Sequence, residues 1–158
     1  MKYDHHSYCE ILSEALLPIR GFLMSDSEED PAEINKRLKA AKYPVLVSVA
    51  EDEYDFTLTE SETLNSERTY VILILDKAEK GQLDMIRDVK KNCTAYAQQI
   101  CAKLLLDHTG DRAGLTGLVP DSISLSPAGP FGDFLYGMLI RFTLKDWESY
   151  ELNENMWR

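Results

Sequence analysis

One long amphipathic segment constrains the fold of this chain more than any other feature. Between residues 81 and 107, apolar side chains recur at steps of three and four, which is the spacing of one helix face. At about 1.5 Å per residue the helix would be roughly 40 Å long, and Gly110 follows it as the predicted C-cap. Its other face is polar, so the apolar face needs a broad surface such as a β-sheet. The apolar positions are Leu83, Ile86, Val89, Cys93, Tyr96, Ala97, Ile100, Cys101, Leu104 and Leu105.

Strand-like patterns on both sides of the helix predict that sheet. The segment 69–75 is almost wholly aliphatic, which indicates a central and covered strand. Alternate residues of the segment 135–144 are uniformly apolar, so we expect this face to point at the helix or the core. That face comprises Tyr136, Met138, Ile140, Phe142 and Leu144. The predicted strands are 45–49, 54–59, 69–75, 122–126 and 135–144, with a turn at 51–53.

The N-terminal part of the chain is predicted to be helical. Apolar residues from Tyr8 to Ile19 have helical spacing after a frayed polar lead, and an acidic linker follows at 25–30. Asp30-Pro31 begins a second helix, which ends before Pro44. The predicted fold is therefore α+β: a two-layer sandwich with a mostly antiparallel sheet of about five strands, one long helix across it, and N-terminal helices. We expect one domain, divided into a helical region (1–42), the sheet with the long helix (43–144) and a tail (145–158).

The charge balance narrows the classes of partner. The chain has 27 acidic and 17 basic residues, a formal net charge of −10. This argues against nucleic acid and against an anionic membrane surface, and it suits a basic protein partner. Three cysteines do not form a disulfide framework, so we interpret them as buried small side chains in a reducing compartment. No signal peptide or membrane span is recognisable, which predicts a cytoplasmic protein.

Catalytic and cofactor motifs are missing from the sequence. It has no P-loop, no dinucleotide-binding glycine pattern, no HExxH and no CxxC. His5 and His6 lie near Cys9, but adjacent histidines diverge on a helix, so no metal site is expected. We therefore predict no catalytic residue, no cofactor, no metal and no enzymatic activity. Gly129, Gly132 and Gly137 are interpreted as turn or close-packing glycines.

One hydrolytic or metal-binding alternative remains at the end of the long helix. Asp107, His108 and Asp111 lie within five residues of one another. A histidine in the last helical turn also interacts favourably with the helix C-terminus, and this structural role is the preferred interpretation.

Exposed aromatic residues are the candidate interface. Phe131 and Phe134 lie in or next to a loop predicted at 127–133, and Trp147, Tyr150 and Trp157 lie in the acidic tail. The tail aromatics either fold back on their own domain or dock on a partner subunit. The acidic stretch 51–67 is either a solvated strand edge or a contact surface for a basic neighbour.

Several stretches, in this order, resemble one protein family. They are Tyr43-Pro44-Val45-Leu46-Val47, Tyr54-Asp55-Phe56, residues 71–76 leading into the long helix, Ile123-Ser124-Leu125-Ser126-Pro127, and Tyr136-Gly137-Met138-Leu139-Ile140-Arg141-Phe142. Together with the order of elements, they resemble the tail-terminator, or tail-completion, proteins of long-tailed bacteriophages and related prophages. The resemblance spans residues 8–144, and the Trp-containing tail has no counterpart in it.

The resemblance implies a non-enzymatic virion assembly protein. Such a subunit forms a homo-oligomeric ring, often a hexamer, on the tail tube and presents a surface to head-completion proteins. It would be made in the cytoplasm of the bacterial host and become a virion component. The alternative is a stand-alone acidic binding module, of the immunity or anti-host type, that blocks a basic partner.

Overall fold

The computed structural model describes residues 2–26, 31–58, 64–132, 134–146 and 153–158. Its helices are α1 (His5–Ala15), α2 (Pro31–Ala40) and α3 (Leu83–Thr109). Its strands are β1 (Gly21–Asp26), β2 (Val45–Leu58), β3 (Leu64–Lys77), β4 (Ser124–Phe131) and β5 (Leu135–Asp146). Short 3-10 turns lie at Leu115–Gly117, Pro120–Ser122 and Glu154–Met156.

The strands form one sheet in the order β1-β2-β3-β5-β4. Only the β1–β2 pair is parallel among these five strands, and the other three pairs are antiparallel. This confirms the α+β class with a mostly antiparallel sheet. The aliphatic segment 69–75 lies within β3, the central strand, as its composition predicts.

The first face of the sheet is covered by α1 and α3, which enclose the main core. Every second residue of β5 points into this core, which confirms the predicted orientation of that strand. On α3 the central part of the predicted stripe is buried, whereas Leu83 and Leu105 at its two ends are exposed. The buried positions of α3 are Val89, Cys93, Ala97, Ile100, Leu104 and Asp107.

The second face of the sheet is covered in part by α2. A smaller apolar cluster includes Leu38 of α2 and residues of β2, β3, β4 and β5. Tyr43 fastens this helix, because its hydroxyl group donates to the Leu38 carbonyl oxygen. The Lys77 ammonium group lies 4.7 Å from the centre of the Tyr43 ring, a cation–π contact. The buried members of the cluster are Leu38, Val45, Val47, Leu75, Ala128 and Leu135.

Two strand predictions were wrong. Residues 21–26 form β1, a strand that was not predicted, and its last two residues fall in the predicted linker at 25–30; the strand is short and pairs only at the sheet edge. Residues 51–53 are not a turn, since β2 runs continuously from Val45 to Leu58. The acidic residues sit where the β2–β3 register shifts between Ala50 and Tyr54, a bulge that takes up the extra residues without ending the strand.

The predicted frayed start and the predicted loop at 127–133 also need correction. The helix α1 begins at His5, because the Asp4 carboxylate accepts from the Ser7 backbone N–H and caps the helix. His5 itself is buried. β4 extends to Phe131, so most of the predicted loop is strand. Residues 27–30, 59–63 and 133 of these predictions lie outside the described part of the chain.

Candidate interaction surface

An apolar groove lies between α2 and the second face of the sheet. Its volume is about 240 Å³. Its walls are formed by β1, α2, β2, β3 and the end of β4. Arg37 is the one charged side chain among the residues that line it. Residues that line the groove include Leu23, Met24, Ile34, Val49, Leu73 and Phe131.

The groove exists because α2 is too short to cover this face. Its ten residues follow β1 and precede the parallel strand β2, so the helix packs near that edge of the sheet. Ile34 and Leu38 reach the sheet, while Val49 and Leu73 stay only half-buried. A sheet face that is apolar but incompletely covered is typical of a surface that another chain completes.

The candidate interface residues occupy different places. Phe131 lines the groove and is 39% exposed, while Phe134 is half-buried against the second cluster. Trp157 follows the 3-10 turn Glu154–Met156 and is 70% exposed. Trp147 and Tyr150 lie outside the described residues. The structure therefore brings two of the five together beside the second face and places Trp157 in solvent.

A ring of aromatic side chains surrounds His5 under α1. Tyr3 packs edge-on against Tyr70, and Tyr70 stacks on Phe142. The Tyr3 hydroxyl group donates to His5 Nδ1 at 2.8 Å, and His5 Nε2–H donates to the Val71 carbonyl oxygen at 2.9 Å. The neutral ring thus uses both nitrogens. Burial lowers the pKa of His5 to about 4, against the opposing effect of the Val71 hydrogen bond.

His5 makes stability depend on pH. Its folded-state pKa of about 4 lies below the usual 6.5, so between these values the unfolded chain binds a proton that the folded chain does not. We expect the free energy of unfolding to fall by up to about 3 kcal/mol as the pH drops through this range. Urea unfolding at pH 7, 5.5 and 4 measures it. His5→Gln should flatten the dependence, and an equally steep dependence in His5→Gln would contradict the assignment.

A hydrogen-bonded network near the N-terminus of α1 joins Ser48, His6 and Asp26. The Ser48 hydroxyl group lies 2.5 Å from His6 Nδ1, and His6 Nε2 lies 3.0 Å from Asp26 Oδ1. The residue order is that of a nucleophilic triad, in which a histidine activates a serine. Ser48, however, is 0% exposed, so no substrate carbonyl can approach its hydroxyl oxygen. These two hydrogen bonds instead connect α1 to β1 and β2.

The helix-end alternative is not supported by the geometry of its three residues. Asp107 is 3% exposed and accepts from the Tyr8 hydroxyl group and from the Lys103 ammonium group, each at 2.8 Å. His108 Nδ1–H donates to the Leu115 carbonyl oxygen, and Asp111 accepts from the Thr116 hydroxyl group. Each polar group is therefore committed to a different structural contact.

The cysteines and metal-binding side chains add no site within the described residues. Cys9 and Cys93 are buried and Cys101 is half-buried, and all three are free thiols. Burial raises the pKa of Cys9 and of Cys93 to about 12, so both stay protonated. In the described part of the chain, no group of three His, Cys, Asp or Glu residues is arranged to hold a metal ion. The described helices also include none with the length and apolarity needed to cross a membrane.

Sequence reasoning missed the groove, although a signal for it was present. Residues 45–49 are apolar or small at odd and even positions alike, and so are residues 71–75. Such strands need cover on both faces, and the long helix can cover only one. No protein-family model matches the sequence, and no curated protein is significantly similar to it.

Proposed function

We propose that this chain is a non-enzymatic assembly subunit of the tail-terminator type, which forms a ring at the end of a phage or prophage tail. The observation that carries the proposal is the apolar groove left open on the second face of the sheet. A ring built from identical copies needs two different complementary patches on every subunit. The groove supplies one patch, and the exposed apolar residues Met156 and Trp157 supply a candidate for the other.

The proposed partners are further copies of this chain, a tail-tube protein and a head-completion protein. The net charge of −10 suits a basic surface on the last two. The subunit would act in the cytoplasm of the bacterial host during assembly and remain in the virion.

The solution mass tests this proposal. Light scattering on a size-exclusion column, over a concentration series, should give a closed species at a fixed multiple of the 18.0 kDa monomer, such as six for a sixfold ring. Growth without a limiting mass would indicate an open filament and contradict ring closure. A monomer at every concentration would favour the second candidate.

The second candidate is an acidic binding module that blocks one basic protein. The charge imbalance favours it, because it steers association with a basic surface. Such a module would stay monomeric, and a pull-down would capture its target in a salt-sensitive manner. Neighbouring genes separate the two candidates cheaply: portal, capsid and tube genes favour assembly, whereas a toxin or nuclease gene favours the module.

A further inference from the structure

We propose that the groove between α2 and the sheet receives Met156 and Trp157 of a second copy of this chain. The inference rests on the proposed function and names the contact that would join neighbouring subunits. It assigns the groove as acceptor and the C-terminal residues as donor, so that each copy carries one of each.

The first argument is the match of two incomplete apolar surfaces. Met156 and Trp157 are 81% and 70% exposed, which is costly for side chains of this size and apolarity. The groove offers apolar walls and a volume of about 240 Å³. Tryptophan is among the residues that most often anchor an interface, and methionine adapts to irregular gaps.

The second argument is charge complementarity. α2 forms one wall of the groove and carries Lys36, Arg37 and Lys39 against the single acid Glu33, in a chain that is acidic overall. The donor segment is the reverse, since positions 146–157 hold four acidic residues and no basic one. An acidic segment with apolar anchors therefore fits a basic helix beside an apolar groove.

The third argument concerns which copy supplies the donor. β5 carries the chain away from the groove and ends at Asp146, which pairs with Ser66. Leu73 in the groove lies seven residues further along β3, which is about 23 Å at strand spacing. In this structure the chain's own Met156 and Trp157 are in solvent while its groove is open. Ten extended residues after Asp146 could span about 33 Å, so it is the solvent position of the chain's own Met156 and Trp157, and not the distance, that leads us to assign the occupant to another copy.

A mixing experiment tests the donor–acceptor arrangement. Trp157→Asp removes the donor and keeps the groove, and Phe131→Asp, at a groove residue that is 39% exposed, removes the acceptor and keeps the donor. Each variant alone should associate roughly tenfold or more weakly than the original chain. An equimolar mixture should form a species of twice the monomer mass and stop there, because only one intact donor can meet one intact groove.

Controls keep folding separate from docking. Both variants should keep the circular dichroism spectrum and melting temperature of the original chain, and Met24→Asp is a second acceptor variant if Phe131→Asp melts earlier. Leu17→Asp places the same charge at an exposed leucine outside the groove and should leave association unchanged.

The outcomes distinguish the docking proposal from the ring proposal. If the original chain forms rings and Trp157→Asp forms the same rings, docking is wrong and the ring stands. If the mixture pairs but the original chain never reaches a closed mass, docking stands and the ring is wrong. A monomeric original chain with a monomeric mixture would contradict both.

Discussion

Gly137→Ala is expected to lower the free energy of unfolding by about 4 kcal/mol, because an added Cβ atom comes closer to its neighbours here than at any other glycine of the chain. Gly137 lies in β5, where it pairs with Leu75 of β3 on one side and Ala128 of β4 on the other. A Cβ atom at this position would lie 1.7 Å from the backbone oxygen of Ile74. The backbone of β3 cannot move aside as a flexible side chain can, so β3 and β5 must separate.

Thermal unfolding measures this effect directly. For a domain of this length, about 4 kcal/mol corresponds to a fall in melting temperature of about 10 °C. Gly110→Ala is the matched control, because a Cβ atom there would lie 3.2 Å from the side-chain Nε of Arg112 and 3.3 Å from the backbone oxygen of Leu106, both far longer than the 1.7 Å at Gly137. The control should change stability by less than about 1 kcal/mol. Equal melting temperatures for the two variants would contradict the close approach of the strands.

Periodicity predicted the layer that α3 and β5 form, because both elements bury one face and expose the other. Val89, Cys93, Ala97, Ile100 and Leu104 follow helical spacing. Alternation in β5 gives the side that packs against them. Such patterns report burial on one face, which is a local property of sequence. The interpretation of Gly137 as a close-packing glycine is also confirmed, since a glycine inside an apolar strand indicates close backbone approach.

Periodicity could not reveal features that depend on which elements meet. β1 is only six residues long and lies at the sheet edge, so its pattern is too short to separate from the end of a helix. The bulge in β2 was predicted as a turn, because acidic residues are uncommon within strands and aspartate is common in turns. The Ser48–His6–Asp26 chain joins three elements that are distant in sequence. The candidate site could be predicted only in part for the same reason. Phe131 was identified as a candidate interface residue, but the groove that it lines depends on how α2 packs on the second face of the sheet.

Asp107→Ala is expected to cost about 3 to 4 kcal/mol, because it removes the centre of a buried polar contact between α1 and α3. The Asp107 carboxylate accepts from the Tyr8 hydroxyl group and from the Lys103 ammonium group. Lys103 is partly exposed and can turn to water, but the Tyr8 hydroxyl group would stay buried without its acceptor. Burial, and then the hydrogen bond to Asp107, raise the pKa of Tyr8 well above 10, so tyrosine remains the donor at neutral pH.

A double-mutant cycle with Tyr8→Phe isolates the contact between the two helices. Tyr8→Phe removes the donor but leaves Lys103 on the carboxylate, so it should cost less, about 1 to 2 kcal/mol. The double variant should be more stable than the sum of the two losses predicts, by at least about 1 kcal/mol, since neither buried partner is then left alone. Asp84→Ala on the same helix, whose carboxylate is fully exposed, is the control and should leave the free energy of unfolding nearly unchanged. Strict additivity in urea unfolding would mean that Tyr8 and Asp107 contribute independently, and the contact would then not explain why an acid is buried on the apolar stripe of α3.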